Sequence, residues 1–190
     1  KHIKSTGARV SFATLTGNDF YKNYLINEMK KNKIDLELIV DKSRPTTIKN
    51  AIINNGYRLL KLDTLDNSPI KRSELLKFKN IIKKFKNHAV IFSDFRHGIF
   101  NKETIEVLAG AINKKIFKVA DTQVASRWGN IADFKNFDLI TPNEKEARFS
   151  LADQDSTVNK LTEELYGNSK YKNICTHESI AKHHVYRNIE

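Results

Sequence analysis

Apolar residues recur along this chain at two periods, and the switches between them mark out its elements. The run "RVSFATL" near the N-terminus is of β type and stops at Thr16-Gly17-Asn18-Asp19. Beyond it Phe20, Tyr24, Leu25 and Met29 fall at helical spacing, to about residue 33. "LELIV" at 36–40 predicts a strand and "DKSRP" a turn. "TTIKNAII" and "YRLLKLD" flank "NNG", where Asn55-Gly56 is a type I′ hairpin signal. Residues 71–87 predict an amphipathic helix, with Leu75, Leu76, Phe78, Ile81, Ile82 and Phe85 on its apolar face.

The pattern then changes. "HAVIFSD" is almost wholly apolar, as expected of a strand covered on both sheet faces. A helix at 101–113, the strand "KIFKVAD", an irregular segment through "SRWGNIADFKNF" and the strand "DLIT" follow. Helices at 143–152 and 158–167 and a strand near "KNICT" complete the series. Strands alternating with helices predict a parallel α/β sheet. The hairpin stands outside that alternation and predicts a small β appendage.

In "DLITPNEKEARF", residues 138–149, the apolar strand turns directly into a helix. Thr141 and Glu144 have the S/T-x-x-E spacing of a capping box, with Pro142 suited to the first helical position. That reading leaves Asn143 and Glu146 unexplained, three apart on one face of the first turn. They are either solvated surface groups or an amide oxygen and a carboxylate suited to hydrated Mg²⁺ beside bound phosphate.

Composition narrows the class. A chain of 190 residues, 39% hydrophobic and 29% charged, suits one domain with a sizeable core. No apolar run approaches the ~18 residues of a membrane helix, and no signal-peptide order opens the chain. A single cysteine, Cys175, makes a reducing cytoplasm the expectation. The net charge of +11 comes from 33 Lys and Arg against 22 Asp and Glu. These lysines are spread over amphipathic helices without an aromatic-interleaved stripe. The expectation is therefore solvated faces that steer an anionic substrate, not a nucleic-acid interface.

In an open parallel sheet, ligands bind outside the carboxyl ends of the strands. Three polar clusters fall there: Ser93-Asp94, Asp121-Thr122-Gln123, and Thr141 to Glu146. Asp94 either orients a sugar hydroxyl or caps its loop; Arg96, His97 and Gly98 form either an anion site or a solvated turn. Arg44, Thr46 and Thr47 before a strand, with Lys49 and Arg58 nearby, could reach a phosphate from the hairpin; Lys49 and Arg58 are equally explained as charges that protect exposed strand edges. His177, His183 and His184 make only a weak metal pattern, and Cys175 reads as core. No Walker loop, G-x-G-x-x-G or Ser-His-Asp pattern occurs.

Taken in order, "TGNDF", "SRPTTIKNAIINNGYRLLKLD", "IFSDFRHGIF" and "DLITPNEKEAR" resemble the ribokinase-like (PfkB) carbohydrate kinases, over roughly residues 8–176. The hairpin block is most similar to the heptose-phosphate kinases of ADP-heptose synthesis, with their R-P-T-T-x-K followed by Q-L-L-R-x-D. The resemblance implies one partial ribokinase-like α/β domain over residues 1–190, a sandwich with a mainly parallel central sheet and a β lid near 36–63. It implies transfer of the ATP γ-phosphate to a hydroxyl of a sugar or sugar phosphate with Mg²⁺. Asn143 and Glu146 fall on the family's N-x-x-E motif for metal and phosphate. Arg44, Thr46, Thr47 and Lys49 would be lid residues beside the sugar. Asp94 and Gly98 match the S-D-Y-G-K-G loop, with Arg96 and His97 where Gly and Lys are usual. A homodimer through the lid is a further implication. The family's N-terminal Gly-Gly-x-x-x-N would precede Lys1, and its G-A-G-D segment, with the general base, would follow Glu190. The expectation is thus a chain truncated at both ends; the alternative is a catalytically silent fragment or paralogue with only a binding role.

Overall fold

The computed structural model describes residues 1–86, 88–123, 131–169, 173–176 and 185–186. It divides into two compact units, Lys1–Ile81 and Ile82–Glu190.

In the first unit a short helix α1 (His2–Ser5) precedes strand β1 (Ser11–Thr16), helix α2 (Phe20–Lys31) and strand β2 (Asp35–Val40). β1 and β2 pair in parallel from Ser11↔Asp35 to Thr16↔Val40, with α2 as the crossover. Asp19 starts α2, its Oδ1 accepting from the Tyr21 and Lys22 amides. The predicted hairpin is present as β3 (Ile48–Asn54) and β4 (Tyr57–Thr64). Asn55 (φ 48°) and Gly56 (φ 80°) supply the two left-handed residues that a type I′ turn demands. The ribbon itself begins only at Ile48, because 36–40, read with it as lid, is the strand paired with β1.

Period-2 alternation gives that ribbon two unlike faces. Ile48, Asn50 and Ile52 stand opposite Thr64, Leu62 and Leu60; Lys49, Ala51 and Ile53 stand opposite Asp63, Lys61 and Arg58. A bulge between Ile52 and Ile53 leaves Leu59 without a direct partner across the pair. Every residue of the ribbon after Ile48 is exposed.

Helix α3 (Arg72–Lys84) buries Leu75, Phe78 and Ile82, as its apolar spacing predicts. Leu76 does not join them and is 48% exposed. It lies on the i±4 row of Arg72 and Asn80, turned away from the buried stripe.

In the second unit β5 (Ala89–Asp94), β6 (Phe117–Thr122), β7 (Leu139–Ile140) and β8 (Asn173–Thr176) form a parallel sheet in chain order. β9 (Val185–Tyr186), which the pattern does not predict, closes it antiparallel to β8. Helix α4 (Lys102–Ala109) links β5 to β6; α5 (Glu144–Leu151) and α6 (Val158–Ser169) link β7 to β8. An Asn101–Thr104 capping box opens α4.

The core of this unit is aromatic. Phe92 stacks on Phe100 at 4.9 Å and meets Phe137 edge-on at 5.3 Å, while Phe134 meets Phe137 at 5.5 Å. Phe134, Phe137 and Ile131 come from the segment expected to be irregular. Its described part, 131–137, has one 3₁₀ turn over Ile131–Asp133 and no other helix or strand, yet it supplies buried side chains to the core of this unit. β5, in contrast, is not covered on both faces. Val90, Phe92 and Asp94 turn inward, while Ala89, Ile91 and Ser93 are exposed. No described helix is long and apolar enough to cross a membrane.

Candidate functional site

The carboxyl ends of β5, β6 and β7 are joined by side chains. Asp94 closes β5, 2% exposed, in register with Thr122 at the end of β6. Its Oδ2 accepts from Thr122 Oγ1 at 3.2 Å and from Arg96 Nη1 at 2.7 Å, and its Oδ1 accepts from the Arg96 amide at 2.7 Å. One strand further on, Asp121 Oδ1 accepts from Thr141 Oγ1 at 3.1 Å. Asp94 is thus the foot of the β5 loop: it holds Arg96 in the left-handed region (φ 61°), and Gly98 follows at φ 87°. His97 stacks on Phe95 within that loop at 6.2 Å between centroids.

At the end of β7 the capping assignment differs from the one the spacing suggests. Asn143, not Thr141, is the N-cap of α5, and Glu146, not Glu144, reciprocates. Asn143 Oδ1 accepts from the Glu146 amide at 3.0 Å, and Glu146 Oε2 accepts from the Asn143 amide at 2.7 Å. Thr141 is unsuited because it belongs to the sheet: its amide donates to Ala120 O, and its hydroxyl goes to Asp121. Pro142 therefore stands one place before the cap, and Glu144 forms an i,i+4 pair with Arg148. Asn143 and Glu146 remain on the exit of a parallel strand at a helix N-terminus, where anions are favoured. Glu146 is 6% exposed.

The hairpin residues divide. Arg44 is buried, its Nε 3.2 Å from Asp41 Oδ2 and its Nη2 3.3 and 3.4 Å from the carbonyls of Ser68 and Pro69. Thr46 Oγ1 donates to Asp19 Oδ1 at 2.8 Å and accepts from the Gly17 amide at 3.0 Å, and the Thr46 amide donates to Asp19 Oδ2. That amide, with the Thr46 hydroxyl, holds the Asp19 carboxyl below its ordinary range. Thr47 and Lys49 are exposed at the base of the ribbon.

Asp41 carries no motif in the sequence. Its Oδ1 accepts from Ser43 Oγ at 2.7 Å, from the Ser43 amide at 2.9 Å and from Lys71 Nζ at 3.3 Å. Those bonds, Ser43's first, hold its carboxyl well below the usual carboxylate range. Its only signal was position, the first residue after β2, again a strand's carboxyl end.

Among the described residues no group of three or more His, Cys, Asp and Glu could hold a metal by itself. A divalent ion at Asn143 and Glu146 would therefore lean on the oxygens of its phosphate ligand and on water, as Mg²⁺ commonly does. An amide oxygen and a carboxylate are both oxygen ligands of the kind a hard cation takes. His177, His183 and His184 lie outside the described residues, as does the Cys175 side chain.

A family model described as pfkB family carbohydrate kinase matches residues 1–173. Among curated proteins, "Bifunctional protein HldE" of Campylobacter jejuni subsp. doylei is 31% identical over 151 residues, and that of Helicobacter pylori 28% over 158 residues. These cover 77% and 79% of this chain but only 30% and 32% of the relatives' own length. Phosphofructokinase-2 from Escherichia coli, crystallised with fructose-6-phosphate, matches 98% of this chain and 64% of its own, with TM-score 0.73 at 12% identity. Ribokinase from Giardia lamblia matches 94% and 62%, with TM-score 0.72 at 15% identity. At those identities the two structures speak for the fold.

Proposed function

This chain belongs to the pfkB family of carbohydrate kinases, and from that membership we propose that it serves ATP-dependent phosphorylation of a hydroxyl on a sugar or sugar phosphate. The observation that carries the reading is the exit of β7. Asn143 and Glu146, spaced as the family's N-x-x-E, stand at the N-terminus of α5 directly after a parallel strand. There the helix end favours phosphate, and the two side chains would hold hydrated Mg²⁺ against it. When bound, the ion neutralises charge on the phosphate oxygens. The chain's own part is positioning: the reciprocal cap fixes both side chains before any ligand arrives.

Asp94, His97 and Gly98 are the substrate residues assigned to the β5 loop, and Thr47 and Lys49 those of the ribbon. The hairpin block's resemblance to heptose-phosphate kinases makes a phosphorylated sugar the first class to try. The exposed Ile52, Leu60 and Leu62 face supports a homodimer through the ribbons of two copies.

The test is ADP release with Mg-ATP over a panel of sugars and sugar phosphates, in the presence and absence of EDTA. Sugar-dependent, EDTA-sensitive ADP release is expected. ADP release that no sugar changes would reject the assignment.

A further inference from the structure

We propose that Arg44 is a positioning residue: with Asp41 and Lys71 it clamps the two stems of the β3–β4 ribbon, and so sets where the ribbon's ligand-facing residues stand. This rests on the kinase reading for its effect on turnover, but the clamp itself does not.

The ribbon enters through residues 41–47 and leaves through 65–71. Arg44 on the entering stem donates from Nη2 to the Ser68 and Pro69 carbonyls on the leaving stem. Its Nε is held by Asp41, and Asp41 in turn accepts from Lys71 on the leaving stem. Lys71 also donates to Ser43 Oγ at 2.5 Å. These cross-stem bonds are made by one cation on each side, with the buried Asp41 carboxylate between them. Below the clamp, Thr46 is tied to Asp19 and Gly17 at the end of β1. Gly17 is required there, since a Cβ would lie 2.5 Å from Arg44 O and 2.7 Å from Thr46 N.

Geometry makes the clamp matter. β3 has 7 residues, which at ~3.3 Å each give a lever of about 23 Å. A tilt of about 10° at its base would move the tip by about 4 Å and Lys49, the second residue of β3, by about 1 Å, the scale of misplacement that already costs rate. Within one chain the ribbon's residues after Ile48 are exposed, so its tilt is set at the stems. Arg suits the task because its planar fork reaches carboxylate and carbonyls at once, which a lysine ammonium on one point cannot do. The same commitments argue against Arg44 touching substrate, since Nε and Nη2 are already engaged in a buried network.

Two variants test it on the full chain. Arg44→Lys keeps the charge beside Asp41 and loses the fork; Lys71→Met removes the half-exposed partner and guards against a misfolded first variant. Hydrogen exchange is read first. Peptides covering 41–47 and 65–71 should exchange at least tenfold faster in both variants, with β5 to β7 unchanged. Exchange in both stems equal to the parent overturns the clamp. Turnover is read second: KM for the sugar substrate should rise tenfold or more with kcat within threefold. A fall in kcat at unchanged KM would place Arg44 at the reacting groups and overturn a positioning role. Absence of turnover in the parent would reject the kinase reading alone, because the exchange result decides the clamp without it.

Discussion

Glu146 and Asn143 each cap the other's amide: Glu146 Oε2 accepts from the Asn143 N–H at 2.7 Å, and Asn143 Oδ1 from the Glu146 N–H at 3.0 Å. The pair proposed for metal and phosphate is therefore also the pair that starts α5. A truncating mutation would confuse the two roles, and the choice of substitution decides what is learned.

Glu146→Gln separates them. Glutamine can complete a capping box, so the melting temperature should stay within about 2 °C of the parent. Removing the charge that would hold Mg²⁺ against the phosphates should lower kcat/KM at least tenfold, about 1.4 kcal/mol of transition-state stabilisation. Glu146→Ala should in addition destabilise the fold by about 1 kcal/mol, from the lost cap. Thermal melts and ADP-release kinetics on both variants read this out; equal turnover in parent and Glu146→Gln rejects the metal role.

Asp41→Asn should be the most damaging single change in the first unit. It leaves the Arg44 guanidinium buried without its carboxylate, and breaking a buried pair costs about 3–5 kcal/mol. The urea midpoint, followed by circular dichroism, should fall accordingly. A loss under about 1 kcal/mol would mean that the network is replaceable by water.

Acid should unfold the protein through the same carboxylate. Asp41 is held well below the ordinary range, and Asp153 is lowered to about 2 by hydrogen bonds from Ser156 and the Asp155 amide. Both folded pKa values lie below the unfolded value of ~3.9. The native state then binds fewer protons, so this stability is present above about pH 4 to 5 and is lost as pH falls through the folded values. Urea midpoints should be level from pH 7 to 5 and drop steadily below about pH 4, with a shallower drop in Asp41→Asn.

Gly17→Ala should destabilise by about 1–3 kcal/mol, because the two nearest atoms its Cβ would meet, Arg44 O and Thr46 N, are backbone and cannot swing aside. Denaturant unfolding of the purified variant gives the number. A neutral result would show that the Arg44–Thr46 stem yields easily, contrary to a rigid clamp.

Leu60→Glu tests the ribbon dimer. Leu60 lies across from Ile52 on the apolar face and is 47% exposed, so the charge should leave the fold intact. Sedimentation equilibrium should show the dimer dissociation constant rising at least tenfold. A parent that is already monomeric at high micromolar concentration rejects the dimer.

What the sequence by itself determined is the order and kind of the elements. Periodicities of 2 and 3.6 come from side-chain direction along a strand or helix, which is local, so the hairpin, α3 and the β/α alternation after residue 88 were all legible. Its ordered motifs were enough to indicate the family. The left-handed pair Asn55-Gly56 was legible for the same reason, since the turn demands those residue types whatever surrounds it.

Only the tertiary structure decided where side chains spend their hydrogen bonds. Thr141-x-x-Glu144 and Asn143-x-x-Glu146 are equally good capping boxes on paper. Pairing of β7 with β6 draws Thr141 into the sheet and leaves the cap to Asn143. The sequence offers Arg44 only as a residue able to reach a phosphate; the bonds to Asp41, Ser68 and Pro69 appear once the fold brings these around it. Ile131, Phe134 and Phe137 show no period because their backbone has none, yet they centre the second unit. Each of these outcomes rests on contacts between residues distant in the chain, and a buried polar group takes whichever partner the fold delivers.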